Sequence, residues 1–291
     1  MIDQLVDAGV VAVIGHLNSG VSIEAAPIYG AKDIPQIAIS TNPRFTQLGL
    51  ATTFRMVAND GLQARAIGSF AASQFGASRY AALDDGTPYG KGLTDGAAEQ
   101  LKAEKKQVVV RESFDDKTVA FDDLAAKLKE AGIEVMVSTL NDYQVIALID
   151  ALKKVNYTRV RLLGGDTVKT TDMIKATGII EGIYATSPVL EAKEFVAGRQ
   201  FLEKYLETYK KPPAYGGHYS YDSMYVLSAA LQKAKSAKPK DITAAMHAIN
   251  GYAPVTGTMT WDDKGEQRYA AVGVYELRRG SWELRMRSDR W

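Results

Sequence analysis

Val10–Ile14 (VVAVI) runs directly into Gly15-His16-Leu17-Asn18-Ser19-Gly20, and Ile34–Ile39 (IPQIAI) runs into Ser40-Thr41-Asn42-Pro43. Short apolar runs bounded by Gly, Ser and Asn read as buried parallel strands. In open α/β sheets, ligands bind just beyond the carboxyl ends of such strands. Two neighbouring strand ends rich in hydroxyls and free amides suit a small anionic group such as a carboxylate. The pattern points to binding rather than catalysis.

Outward from these stretches, strand and helix alternate almost to the end. The spacing predicts helices over Ile23–Tyr29, Leu62–Phe75, Leu93–Glu104, Leu124–Ala131, Val145–Val155, Phe195–Tyr209 and Ser220–Lys233, with a short one closing at Met246–Ile249. Strands are expected at Phe54–Val57, Tyr80–Leu83, Val108–Glu112, Val135–Val137, Val160–Leu163 and Ile183–Thr186. The last segment changes character. Gly257–Trp261, Ala270–Leu277 and Trp282–Met286 alternate as antiparallel strands, with turns at Asp263-Lys264-Gly265 and Arg279-Gly280. This order predicts an α/β chain with mostly parallel, doubly wound sheets. If the long helices after Pro188 return to the first block, the domains are discontinuous, which is hinge architecture.

The 291 residues suffice for two domains with their own cores. A hydrophobic share of 46% and a charged share of 24% are those of an ordinary globular chain. A net charge of +1 and the absence of a dense basic cluster argue against nucleic acid as a partner. Without cysteine there is no thiol catalysis, disulfide or thiolate metal site. The three histidines, His16, His218 and His247, are far apart, so no metal is expected. No nucleophile elbow, phosphate loop or dinucleotide fingerprint is present, and no cofactor is implied. The pairs Asp84-Asp85, Asp115-Asp116 and Asp262-Asp263 fall in turns and read as solvated. The chain is not expected to be an enzyme.

Six stretches then take on a family likeness: Leu5–Tyr29 (LVDAGVVAVIGHLNSGVSIEAAPIY), Ile37–Gly49 (IAISTNPRFTQLG), Tyr80–Leu93 (YAALDDGTPYGKGL), Leu162–Val168 (LLGGDTV), His218–Leu231 (HYSYDSMYVLSAAL) and Gly257–Glu266 (GTMTWDDKGE). Together they resemble the periplasmic branched-chain amino-acid binding proteins, the solute-binding components of ABC importers. The resemblance implies a two-lobed type I fold, each lobe a mostly parallel sheet flanked by helices, with a C-terminal antiparallel hairpin. It assigns residues 1–59 and 189–262 to the N-terminal lobe, and 60–188 and 263–291 to the C-terminal lobe. Family members carry a β-α-β segment and most of a helix ahead of the position of Leu5. The chain is therefore expected to begin inside that helix, without signal peptide or first strands. The edge beside Val10–Ile14 is then expected to be unpaired and prone to association.

The resemblance also implies site residues. Ser19 and Thr41, with Ser40 beside it, match the hydroxyl positions that hold the ligand carboxylate, although one residue usual in the family is lacking between Ser40 and Thr41. Ser19 also fits an N-cap, and Thr41-Asn42-Pro43 an ordinary turn. Asp166 matches the acidic ligand of the ammonium group, often a glutamate, but it also suits a cap ahead of a helix from Thr167 to Ile174. Tyr89 matches an aromatic that closes over the ligand. Asn141 and Asp142 stand where the family often has an aromatic or small polar residue, and a plain loop explains them equally well. Tyr215 is a candidate for the cleft mouth, with core packing as the competing role. Tyr221-Asp222 matches a structural signature and is not assigned to the ligand.

The expectation is a periplasmic protein that captures Leu, Ile or Val in an interlobe cleft and delivers it to the membrane subunits of an ABC permease. Two alternatives stand beside it: the same fold binding an amide, urea or aromatic acid, and a ligand-sensing regulatory domain.

Overall fold

The computed structural model describes residues 2–290. In chain order the elements are α1 (Ile2–Asp7), β1 (Val13–Ile14), α2 (Ser19–Gly30), β2 (Gln36–Ala38), α3 (Arg44–Gln47), β3 (Thr53–Arg55), α4 (Asp60–Gln74), β4 (Arg79–Asp84), α5 (Pro88–Ala103) and β5 (Gln107–Ser113). There follow α6 (Asp122–Glu130), β6 (Val135–Ser138), α7 (Asp142–Lys154), β7 (Arg161–Gly164), β8 (Gly182–Ser187), α8 (Gly198–Tyr209), α9 (Gly217–Ala234), α10 (Pro239–His247), β9 (Gly273–Arg278) and β10 (Ser281–Arg287). The chain forms two compact units. One contains the residues up to Asn59 with Val189–Ala271, the other Asp60–Pro188 with the residues from Val272 onward.

The first unit is built on a parallel sheet of three strands in the order β1-β2-β3. One face receives the late helices: Ile37, Phe54 and Met56 pack with Val226 and Ala230 of α9 and with Ile242 and Met246 of α10. The strand expected from Val10 is in fact only Val13–Ile14. Gly9, at φ +73°, turns the chain out of α1. Pro35 can accept from the Val13 N–H (2.9 Å) but has no N–H to extend the ladder. Among the described residues β1 pairs with β2 alone.

The second unit holds seven strands in the order β5-β4-β6-β7-β8-β9-β10. From β5 to β8 they are parallel, and β9 and β10 add antiparallel to β8. Successive residues point to opposite faces. Met136 and Leu162 therefore join α6 and α7 on one side, while Val135, Val137 and Leu163 join α4 and α5 on the other. The β9–β10 turn, Arg279-Gly280, has φ of 49° and 78°, the left-handed pair a tight hairpin needs. From β4 the chain goes first to β5 on one flank and then to β6 on the other. The carboxyl ends of β4 and β6 are thus a topological switch point, where α/β sheets bind ligands.

Two expected elements are not formed. Gly257–Trp261 is no strand, because its residues make isolated bridges to different segments: Gly257 to Ala253, Thr260 to Asn250 and Trp261 to Gln267. The helix expected from Thr167 to Ile174 is replaced by two 3-10 turns, Asp166–Val168 and Asp172–Ala176.

Candidate functional site

At the carboxyl ends of the first sheet, Ser19 is the first residue of α2, whose N-cap is Asn18. Its Oγ is buried and accepts from the backbone N–H of Thr41 (3.3 Å) and of Asn42 (3.2 Å). The two strand-end loops recognised in the sequence are therefore joined by one hydroxyl. Ser40 and Thr41 are buried as well, and the Ser40 hydroxyl makes no hydrogen bond among the described residues. Ser22, in the first turn of α2, holds the preceding loop: its hydroxyl accepts from the His16 N–H (3.2 Å) and lies 3.3 Å from the His16 carbonyl oxygen as donor. His16 Nε2 lies 3.3 Å from the Tyr29 hydroxyl, and burial pushes its imidazolium below the ordinary range.

Beneath these loops lies an ion pair that sequence reading missed. Arg55, at the end of β3, is fully buried. Its Nε donates to both carboxylate oxygens of Glu266 (3.2 and 3.1 Å), and Nη2 donates to Oε1 (3.1 Å). The same guanidinium donates to the carbonyls of Ser40 and Asn42, the latter at 2.9 Å. A planar fork with five donors can hold a carboxylate and two carbonyls at once. Arg55 thereby shapes the backbone of the 40–42 loop, and the Glu266 segment is drawn into the first unit. The only hint in the sequence is an Arg at the end of an apolar strand.

In the second unit, Thr87 caps α5, accepting from the Gly90 N–H at 3.0 Å, and Pro88 opens the helix. This places Tyr89 in the first turn, from where its hydroxyl donates to Asp166 Oδ1 at 2.7 Å. Gln63 of α4 donates to the same oxygen at 3.2 Å. Tyr89 and Asp166 are thus brought together at the carboxyl ends of β4 and β7. The approach requires a glycine: a Cβ on Gly165 would overlap the Tyr89 hydroxyl. Gln63, which ties Asp166 to the sheet, was not foreseen, since nothing in its local sequence marks it.

Asn141 is the N-cap of α7, where Gln144 Oε1 accepts from its backbone and side-chain N–H groups, both at 3.2 Å. Asp142 accepts from the Thr170 hydroxyl at 2.7 Å, fastening the loop after β7. Both residues thus have local structural duties at the same sheet end. Tyr215 lies in the turn before α9 and is 42% exposed. His218 is buried, with Nε2 2.8 Å from the Leu190 carbonyl oxygen. Asp222 is buried and accepts from the N–H groups of Val255 (2.9 Å) and Thr256 (2.8 Å) and from the Thr256 hydroxyl (2.7 Å).

The reading of Asp84-Asp85 as solvated is corrected, for both are buried. Asp84 pairs with Arg111 and accepts from Ser113 Oγ (2.6 Å) and the Gly86 N–H (2.7 Å). Asp85 accepts from the Thr87 hydroxyl at 2.6 Å, and burial pushes its carboxyl above the ordinary range. Their partners arrive on β5 and on the loop that starts α5, so a turn-like dipeptide becomes the floor of the switch point.

The family model described as "Periplasmic binding protein" matches residues 2–281. The Leu/Ile/Val-binding protein homolog 1 of Brucella abortus is 28% identical over 275 residues, covering 94% of this chain and 73% of that protein. Among solved structures, a leucine binding protein of Thermotoga maritima superposes with a TM-score of 0.89 at 23% identity, covering 98% of this chain and 82% of the other. A solute binding protein of an ABC transporter from R. palustris, solved with benzoate, reaches 0.84 at 18% identity over 97% and 78%. The chain belongs to the periplasmic binding protein family, and its fold is that of the type I members.

Proposed function

We propose that this protein is the solute-binding component of an ABC importer and takes a small α-amino acid with a branched aliphatic side chain. In this reading Ser19, Ser40 and Thr41 are assigned to the ligand carboxylate, and Asp166 with Tyr89 to the ammonium group. Asn141, Asp142 and Tyr215 border the ligand. The observation that carries the reading is the Asp166 carboxylate, ordered by the Tyr89 hydroxyl at the carboxyl end of β7. An anionic acceptor at a strand end fits a cationic group on the ligand. The hydroxyls of Ser19, Ser40 and Thr41 suit its acidic end, the Thr41 and Asn42 amides being taken up by Ser19. The Leu/Ile/Val-binding relative supports the choice of side chain, and the family supports a periplasmic location and permease partners.

The decisive experiment is titration calorimetry with Leu, Ile and Val, repeated on Ser19→Ala and Asp166→Asn. Loss of affinity in both variants is expected. Unchanged affinity in Asp166→Asn removes the ammonium assignment. A second reading, binding of an aromatic acid, draws on the neighbour solved with benzoate. It predicts heat with benzoate, none with Leu, and indifference to Asp166→Asn.

A further inference from the structure

We infer that Gln63 is a positioning residue, which sets the affinity for the ligand ammonium by fixing the orientation of Asp166; this rests on the amino-acid reading above. Gln63 lies in the first turn of α4 and is fully buried. Its Nε2 donates to Asp166 Oδ1 (3.2 Å) and to Thr186 Oγ1 (3.0 Å). The Thr186 hydroxyl in turn donates to the Gly164 carbonyl at the end of β7, 3.2 Å away. That bond uses the hydroxyl proton, so Thr186 meets Gln63 as an acceptor. The orientation of the amide follows, with nitrogen toward Asp166 and Thr186.

Two donors from two helices therefore converge on one carboxylate oxygen: Tyr89 from α5 and Gln63 from α4. A carboxylate held at one oxygen by two rigidly mounted donors cannot turn about its terminal torsion without breaking a bond. The chain of Gln63, Thr186 and Gly164 ties this lock to the sheet that carries Asp166. Preorganisation of this kind raises affinity by removing the ordering cost from the binding step.

The other end of the same amide points to a functional reason for Gln63. Its Oε1 is buried and has no hydrogen-bond partner among the described residues. A stranded buried acceptor destabilises a fold, and such costs persist where function requires the group. Methionine has nearly the same length and shape without either polar atom. Gln63→Met removes the stranded oxygen together with the two bonds from Nε2 and leaves Asp166 its bond from Tyr89, so the stability of the unliganded protein is expected to change little.

The test is a double-mutant cycle on the full chain, with leucine as the titrant. Gln63→Met is expected to weaken leucine roughly tenfold or more, the scale of a hydrogen bond to a charged group. In the Asp166→Asn background the same change is expected to cost almost nothing, since the group it positions is gone. Equal losses in both backgrounds, or a melting temperature lowered in step with affinity, overturn the inference and leave Gln63 a packing residue. Unchanged affinity in Gln63→Met, with loss in Asp166→Asn, overturns it while sparing the amino-acid reading. No loss in Asp166→Asn, or no heat from leucine, isoleucine or valine in the unaltered protein, removes that reading and this inference with it.

Discussion

The buried guanidinium of Arg55 holds both carboxylate oxygens of Glu266, 211 residues further along the chain, at 3.1–3.2 Å, and donates with its remaining face to the carbonyls of Ser40 and Asn42. One ion pair thus fixes the backbone that carries Ser40 and Thr41. The proposed carboxylate half-site depends on a contact between the third strand and a turn near the end of the chain.

Glu266→Ala leaves Arg55 buried without its counter-ion. Removing one partner of a buried pair costs about 3–5 kcal/mol. Glu266 keeps 19% of its side chain exposed, so the lower end is expected. Urea unfolding measures this. Because the 40–42 loop loses its brace, leucine affinity is expected to fall too, whereas a loss of stability alone shows that the loop holds its shape without the pair.

Gly165→Ala places a methyl group against the Tyr89 hydroxyl. The hydroxyl is the far end of a side chain and can swing away, so the fold survives. The bond to Asp166 does not. Circular dichroism is expected to match the unaltered protein, while calorimetry with leucine shows roughly tenfold weaker binding, comparable to Tyr89→Phe. Full affinity in Gly165→Ala rules out a role for that bond.

Asp222→Ala strands the N–H groups of Val255 and Thr256, which that carboxylate serves. The stranded buried donor of Val255 costs roughly 1–3 kcal/mol, and that of the part-buried Thr256 costs less. A large fall in urea midpoint with unchanged leucine affinity in the folded fraction is expected, since Asp222 joins α9 to the 253–257 turn and is not assigned to the ligand. Weaker binding by folded protein contradicts that division of roles.

His16 provides the pH dependence. Burial lowers its folded pKa below the ordinary 6.5, so the unfolded chain takes up the proton first. Its contribution to stability is present above pH 6.5 and is lost as the pH falls through the folded value. Comparing His16→Gln with the unaltered protein at pH 8 and pH 5 isolates it. The unaltered protein is expected to lose more stability between those values; parallel losses assign the effect to other groups.

Much of the architecture was legible in the sequence. Runs such as Leu162-Leu163, which feed opposite faces of one sheet, are readable because strand geometry is local. Arg279-Gly280 gave away its hairpin for the same reason, as a two-residue turn sets its own backbone angles. Gly257–Trp261 misled because alternation alone does not supply a partner strand. Ser19, Thr41, Tyr89 and Asp166 were proposed for the site from motif and family likeness. Gln63 and Arg55 were not, because each acts on atoms far away in sequence.

The sequence by itself determined the α/β alternation, the terminal hairpin and which strand ends bear hydroxyls and a carboxylate. These follow from backbone periodicity and turn chemistry, which act over a few residues. Only the tertiary structure decided which groups meet: the Ser19 hydroxyl with the amides of Thr41 and Asn42, Gln63 with Asp166, Arg55 with Glu266, and the burial of Asp84 and Asp85. The reason is physical. A polar side chain declares its donors and acceptors in the sequence, but its partner and exposure are set by which distant segments pack around it.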